Sequence, residues 1–273
     1  MPLPAAFFDL TGFAHAALFA ADRPVWTALD RLEAYLDELF ADHWPLQSRT
    51  GLVTEAFAIM DGEIRDDVEI RPGRKGTAEV FAGGVPLGRA ALVMAGAYLF
   101  DDRLILGVGT VVEPGALIKG PTVVGANTEI RQGAYLRGNC LAGDGCVIGH
   151  TTEMKSSIML DGAKAGHFAY VGDSILGRDV NIGAGTKLAN LKMLPGTVSV
   201  RGEHGIIDTG RRKLGAILGD GTEAGCNTVT SPGTLLGPRS IVYPGVAVPP
   251  GIYPPKTHVR PPRGSPVIRS HKD

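Results

Sequence analysis

From Leu106 onward an apolar residue recurs at every sixth position: Leu106, Val112, Ile118, Val124, Ile130, Leu136, Ala142, Ile148, Met154 and Leu160. A helix repeats every 3.6 residues and a strand every two, so a sustained period of six leaves few folds open. It is the signature of a parallel β-helix, in which each hexad supplies one short strand and a turn. Three hexads close a triangular coil of about 18 residues, and residues about 18 apart stack on neighbouring coils. The pattern resumes at Leu176, Ile182 and Leu188, and again at Leu218, Ala224, Leu236, Val242 and Val248, with Thr230 the one poor fit. The expected fold class is therefore all-β, a solenoid of about eight coils.

Two stretches interrupt the repeat. In KAGHFAYVGDS, residues 164–174, the hexad after Leu160 would open on Gly166, which sends no aliphatic side chain inward, and the register slips before Leu176. A deformed coil gains little packing energy but can present His167 in a crevice. The second interruption, LKMLPGTVSVRGEHGIIDTGRRK, is too long for a turn and too polar for a coil. A loop at about 191–216 is expected to project from the solenoid, and loops of that length are usually functional or disordered.

The N-terminal region differs in kind. Val25, Trp26, Leu29, Leu32, Leu36, Leu39 and Phe40 share one helical face and Pro24 suits a first turn, so a helix is expected over about 24–41. Residues 52–80 alternate enough for short strands, with Asp61-Gly62 and Pro72-Gly73 as turn signals. The expected organisation is a helix and short strands over 1–80, the solenoid over 81–250 and a Pro-rich tail over 251–273.

Composition narrows the function. With 27 basic and 28 acidic residues the chain carries a formal charge of -1, which gives no broad footprint for nucleic acid or an anionic membrane. No run of 18 apolar residues occurs, and the apolar N-terminus lacks a basic leader and is interrupted by Asp9 and His15, so a cytoplasmic protein is expected. Cys140, Cys146 and Cys226 form no CxxC pair and leave one cysteine over under any pairing, which favours reduced, buried thiols.

Stacking arithmetic places Arg137 and Lys155 at one position on successive coils, about 4.8 Å apart. Two cations that close repel unless an anion lies between them, and together they can grip a phosphate. Tyr135 and Glu153 stack by the same spacing, as do Gly149 and His167.

Residues 153–190, EMKSSIMLDGAKAGHFAYVGDSILGRDVNIGAGTKLAN, resemble the C-terminal acetyltransferase half of the bifunctional N-acetylglucosamine-1-phosphate uridyltransferase and glucosamine-1-phosphate acetyltransferase family. The resemblance covers roughly 100–250 through EMK, KAGH, YVGD and NIGAGT. RRKLGA at 211–216 and YPG at 243–245 look like the sugar-1-phosphate nucleotidylyltransferases of that group. The resemblance implies a left-handed parallel β-helix that forms a homotrimer, with acetyl-CoA between subunits. It implies His167 as general base and Asn190 near the amine and thioester. Arg137 and Lys155 fall on phosphate and sugar contacts, Glu153, Tyr170 and Asn181 on sugar contacts, Lys213 on a further phosphate contact and Cys226 on the acetyl-CoA side. Nothing resembles the family's LAAGxGTRM nucleotide loop, and the first 100 residues are too few for that domain, so pyrophosphorylase activity is not expected.

The expected function is acetyl-CoA-dependent N-acetylation of a hexosamine 1-phosphate, glucosamine 1-phosphate first, with no nucleic acid or membrane partner. Histidine ordinarily titrates near pH 6.5 and suits a base that deprotonates an amine at working pH. Amides of the glycine-rich turns could stabilise an oxyanion. Two other readings compete. A γ-carbonic-anhydrase-type zinc site wants three imidazoles, and only His150 and His167 lie about a coil apart, so no metal is expected. A trimeric sugar-phosphate or nucleotide-sugar scaffold would bind without releasing CoA.

Overall fold

A computed structural model describes residues 1–41, 46, 49–72, 78–202 and 205–261. From Ala91–Val93 onward the chain steps in turn through three sheets, an eleven-stranded, a nine-stranded and an eight-stranded one, which we call the second, first and third sheets. Every neighbouring pair of solenoid strands is parallel, as at Val111↔Glu129, Leu117↔Tyr135 and Thr122↔Cys140. This stacking fits a left-handed β-helix, and the described residues complete about nine turns.

The hexad residues Val112, Ile118, Val124, Ile130, Leu136, Ala142, Ile148 and Met154 are buried in one continuous interior core. Removing an aliphatic side chain of this kind from water contributes about 1.5–3 kcal/mol. Backbone polarity at the inner corners is met by buried hydroxyls: Thr128 Oγ1 donates to the Gly143 carbonyl at 3.0 Å and accepts from the Cys146 amide at 2.9 Å. Close coil stacking explains part of the glycine demand, since a Cβ on Gly125 would stand 2.5 Å from the Gly143 carbonyl carbon.

The register slips twice, once ahead of the expected stretch and once within it, before Leu176. Leu136↔Met154 are 18 residues apart, whereas Cys140↔Ser157 and Lys155↔Gly172 are 17 apart. One residue is lost at Ser156, in the corner that leads from the first sheet to the third, and a second at Asp173, the same corner one coil on, since Ile158↔Ile175 and Tyr170↔Lys187 are also 17 apart. Beyond Ser156, Met159 takes the interior place expected of Leu160, and Ala165 the place expected of Gly166. Leu160 instead faces a second core outside the solenoid.

That second core explains the N-terminal segment. Helix α1, Thr27–Phe40, starts three residues after Pro24, which lies before its first turn and not in it, and buries Ala28, Leu29, Leu32, Leu36 and Phe40. With Phe7, Phe13, Leu18 and Trp26 it covers the outer face of the third sheet at Val123, Leu141, Ile158, Ile175, Ile217 and Leu235. These alternate with the inward hexad residues, so the third sheet is apolar on both faces. One face of the prism is thus closed by the chain itself.

Antiparallel strands finish the N-terminal end. Phe57–Met60 pairs with Ala91–Val93 and, through Asp61 and Gly62 at positive φ, with Glu63–Arg65. The turn expected at Pro72-Gly73 reaches outside the described residues. At the other end Gly251–Tyr253 and His258–Val259 add two further solenoid strands, so the coil continues past 250; residues 262–273 of the expected tail lie outside the described residues. The insertion at 191–216 does not simply project. Its hairpin, Ser199–Gly202 with Gly205–Asp208, returns over the third sheet and buries Val198, Val200 and Leu214 in the second core, while Met193 and Leu194 remain exposed. Residues 203 and 204 lie outside the described residues.

Candidate functional site

Strand alternation along the first sheet turns Leu117, Tyr135, Glu153, Tyr170 and Lys187 outward in one row, each paired in register with the next. Two residues further along, Lys119 pairs with Arg137, and Lys155 follows Met154 on the next coil. The expected stacking of Tyr135 on Glu153, and of Arg137 before Lys155, is present. An open groove of about 400 Å³ runs beside these rows, lined by Thr151, Glu153, Phe168, Tyr170, Lys187 and Asn190 among others.

The cations do not stand bare. Arg137 Nη1 donates to Glu153 Oε1 at 2.7 Å, and that bond holds the guanidinium pKa above its ordinary value. Lys155 Nζ donates to Asp173 Oδ2 at 3.4 Å, and Asn190 Nδ2 donates to the same oxygen at 2.6 Å. Asp173, whose side chain is 7% exposed, therefore joins two of the predicted residues. Sequence reasoning passed over it, although it stands 18 residues after Lys155 and the stacking rule points to it. Burial, followed by the nearby Glu153 carboxylate, pushes the Tyr170 phenol pKa up.

His167 ends the strand Lys164–His167 and is exposed. Its neighbour in register is His150, not Gly149, because the lost residue at Ser156 moves the pairing by one; Gly149 packs instead against the Gly166 backbone. His150 Nδ1 lies 2.9 Å from the Gln132 carbonyl, which can only accept, so this nitrogen carries the proton. The Phe168 ring stands edge-on to His150 at 5.2 Å and tilted toward His167 at 6.4 Å.

The corner that carries Phe168 is strained. Gly115, Gly133 and Gly185 occupy its equivalent on other coils at positive φ, while Thr151 and Phe168 adopt φ of 53° and 50° with side chains. A left-handed non-glycine residue costs about 1–2 kcal/mol. Phe168 nevertheless remains 54% exposed at the groove.

The other predicted residues lie apart. Asn181 is on the second sheet, where its Nδ2 donates to Glu223 Oε2 at 3.0 Å, and it does not line the groove of its own chain. Lys213 pairs with Leu191 at the base of the insertion. Cys226 is exposed, contrary to a buried thiol, whereas Cys140 and Cys146 are buried and burial pushes both thiols up to about 12. Among the described residues no group of three or more His, Cys, Asp or Glu side chains is arranged to hold a metal ion.

Residues 118–210, which contain the groove, match the family model described as the GMPPB C-terminal domain. The chain resembles the C-terminal part of bifunctional sugar-1-phosphate enzymes. It is 44% identical over 86 residues to a bifunctional sugar-1-phosphate nucleotidylyltransferase/acetyltransferase of Sulfurisphaera tokodaii, a match spanning 32% of this chain and 21% of that protein. It is 40% identical over 134 residues to the bifunctional protein GlmU of an Acidovorax species, spanning 47% of this chain and 27% of that one. A protein of Escherichia coli K12 named as the putative uncharacterized acetyltransferase YaiX is 34% identical over 134 residues, 49% of this chain and 58% of its own length. The chain thus spans about a fifth to a little over half of these curated relatives. Among the described residues no helix is long and apolar enough to cross a membrane.

Proposed function

We propose that the protein is a hexapeptide-repeat acyltransferase that moves the acetyl group of acetyl-CoA to the amine of a hexosamine 1-phosphate, with glucosamine 1-phosphate the first candidate. The observation that carries this reading is the groove on the first sheet. Glu153, Tyr170 and Asn190 line it, Arg137 and Lys155 stand on the adjoining row, and the exposed His167 lies beside its wall residue Phe168. Carboxylate, phenol and amide groups suit sugar hydroxyls, and the two cations suit the phosphate.

In this reading His167, neutral, accepts a proton from the amine as its nitrogen attacks the thioester carbonyl. The C–N bond forms, the C–S bond breaks, and the proton passes to the departing thiolate. Asn190, held by Asp173, orients the amine, and Phe168 walls the sugar ring. The acetyltransferase names of the relatives support the reaction class. We further infer a homotrimer. The third sheet is covered by α1, so the first and second sheets, with exposed Tyr98 and Phe100 on one and Ile241 and Tyr243 on the other, are the faces left for neighbours. A neighbour's second sheet would then bring an Asn181 and a Cys226 toward the groove that its own chain does not supply.

Thiol release from acetyl-CoA, measured with a panel of hexosamine 1-phosphates and the unphosphorylated amines, tests the reading. Release with a phosphorylated amino sugar is expected, and ligand binding with no release across the panel would favour a scaffold.

A further inference from the structure

The insertion brings Arg211 under the site. Its Nη1 bonds Asp30 on α1, its Nη2 lies 3.8 Å from Asp173 Oδ1, and its Nε donates to the Lys213 carbonyl at 3.0 Å. Arg211 is 16% exposed, and Asp173 shares its two oxygens among Lys155, Arg211 and Asn190. We propose that Arg211 is a positioning residue: it keeps Asp173 charge-compensated from the α1 side, so that Lys155 is free to turn to an anionic ligand. The proposal rests on the phosphate-binding role given above to Lys155.

The Asp173 carboxylate is buried. A carboxylate so enclosed that loses its only cation is left uncompensated, which is far more costly than breaking an exposed ion pair. If Lys155 were the sole partner of Asp173, each phosphate that attracted Lys155 would have to overcome that cost. With Arg211 in place the carboxylate keeps a counter-ion, and Asn190 keeps its acceptor. Asp30 in turn ties the guanidinium to α1, so the N-terminal segment becomes part of the site although it lines none of the groove.

Two measurements test this. In steady-state kinetics, Arg211→Ala should raise KM for glucosamine 1-phosphate about tenfold while kcat stays within about threefold and KM for acetyl-CoA is unchanged. Arg211→Lys should restore most of the loss, and Asp30→Asn should shift KM in the same direction without adding to Arg211→Ala. An unchanged acceptor KM, or equal losses for both substrates, overturns the proposal. The second measurement needs no substrate. Lys155→Ala and Arg211→Ala each leave Asp173 one cation, so the double variant should lose about 5 °C more in Tm than the two single losses together. The excess should vanish in an Asp173→Asn background; strict additivity overturns the proposal. If the wild-type protein acetylates no hexosamine phosphate, the acetyl-transfer reading fails, and the thermal cycle alone then decides the role of Arg211.

Discussion

Replacing Phe168 by glycine separates a residue kept for a ligand from one kept for the fold. Four contributions set the stability change. Relief of the left-handed conformation at φ 50° gains about 1–2 kcal/mol. The added freedom of glycine in the unfolded chain costs about 0.5–1 kcal/mol. Loss of the edge-on contact with His150 at 5.2 Å costs about 0.5–1.5 kcal/mol. Loss of the half of the ring that is buried costs a further ~1 kcal/mol, so the sum runs from about zero to about 3 kcal/mol destabilising. At about 2–4 °C per kcal/mol for a chain of this size, Tm should fall by about 3–6 °C at the centre of that range. KM for the amino-sugar phosphate should nevertheless rise about tenfold, because a wall of the groove is gone. Thermal denaturation at fixed protein concentration, paired with acceptor kinetics, reads both quantities. A fall in Tm beyond about 12 °C would show the ring to be a core element, and an unchanged KM would remove it from the acceptor site.

Further outcomes follow from the same geometry. A disulfide reagent should modify Cys226 quickly in the native protein and leave Cys140 and Cys146 untouched until unfolding, since both are buried with thiols near 12; rapid labelling of all three would contradict the packing. Ile158→Ala, on the outer face of the third sheet under α1, should cost about 2–5 kcal/mol, as much as an interior hexad residue; a cost below about 0.5 kcal/mol in chemical denaturation would mean that the N-terminal segment is not part of a joint core. Burial, the largest cause, holds the His15 pKa below that of a free histidine, so the unfolded chain binds its proton first as pH falls. Stability should therefore decline below about pH 6.5, and His15→Gln should make that decline shallower; an unaltered slope would count against it.

The fold was legible because a six-residue period encodes the inward positions directly, from Val112 to Met154. The same rule hid the outer face of the third sheet. Leu141 and Ile158 fall between hexad openings, so their burial depended on a partner, the N-terminal segment, that no period announces. Counting in eighteens also misplaced His167 by one residue, since the one-residue loss at Ser156 is a corner event with no hydrophobic mark. At the site, stacking arithmetic brought Arg137 near Lys155 and Tyr135 onto Glu153. The counter-ion Asp173 was one further addition away. Arg211 was not within reach, because its contacts join residues 181 and 38 positions distant through a folded insertion.

In the proposed reaction His167 takes the proton from an amino-sugar phosphate beside the first-sheet groove. Single-turnover thiol release from acetyl-CoA with glucosamine 1-phosphate, compared between the wild-type protein and His167→Ala at matched fold and assembly, tests it most directly. A wild-type burst of CoA is expected, with a rate about a hundredfold to ten-thousandfold lower in the variant and both substrates still bound. A variant rate within threefold of wild type would contradict it.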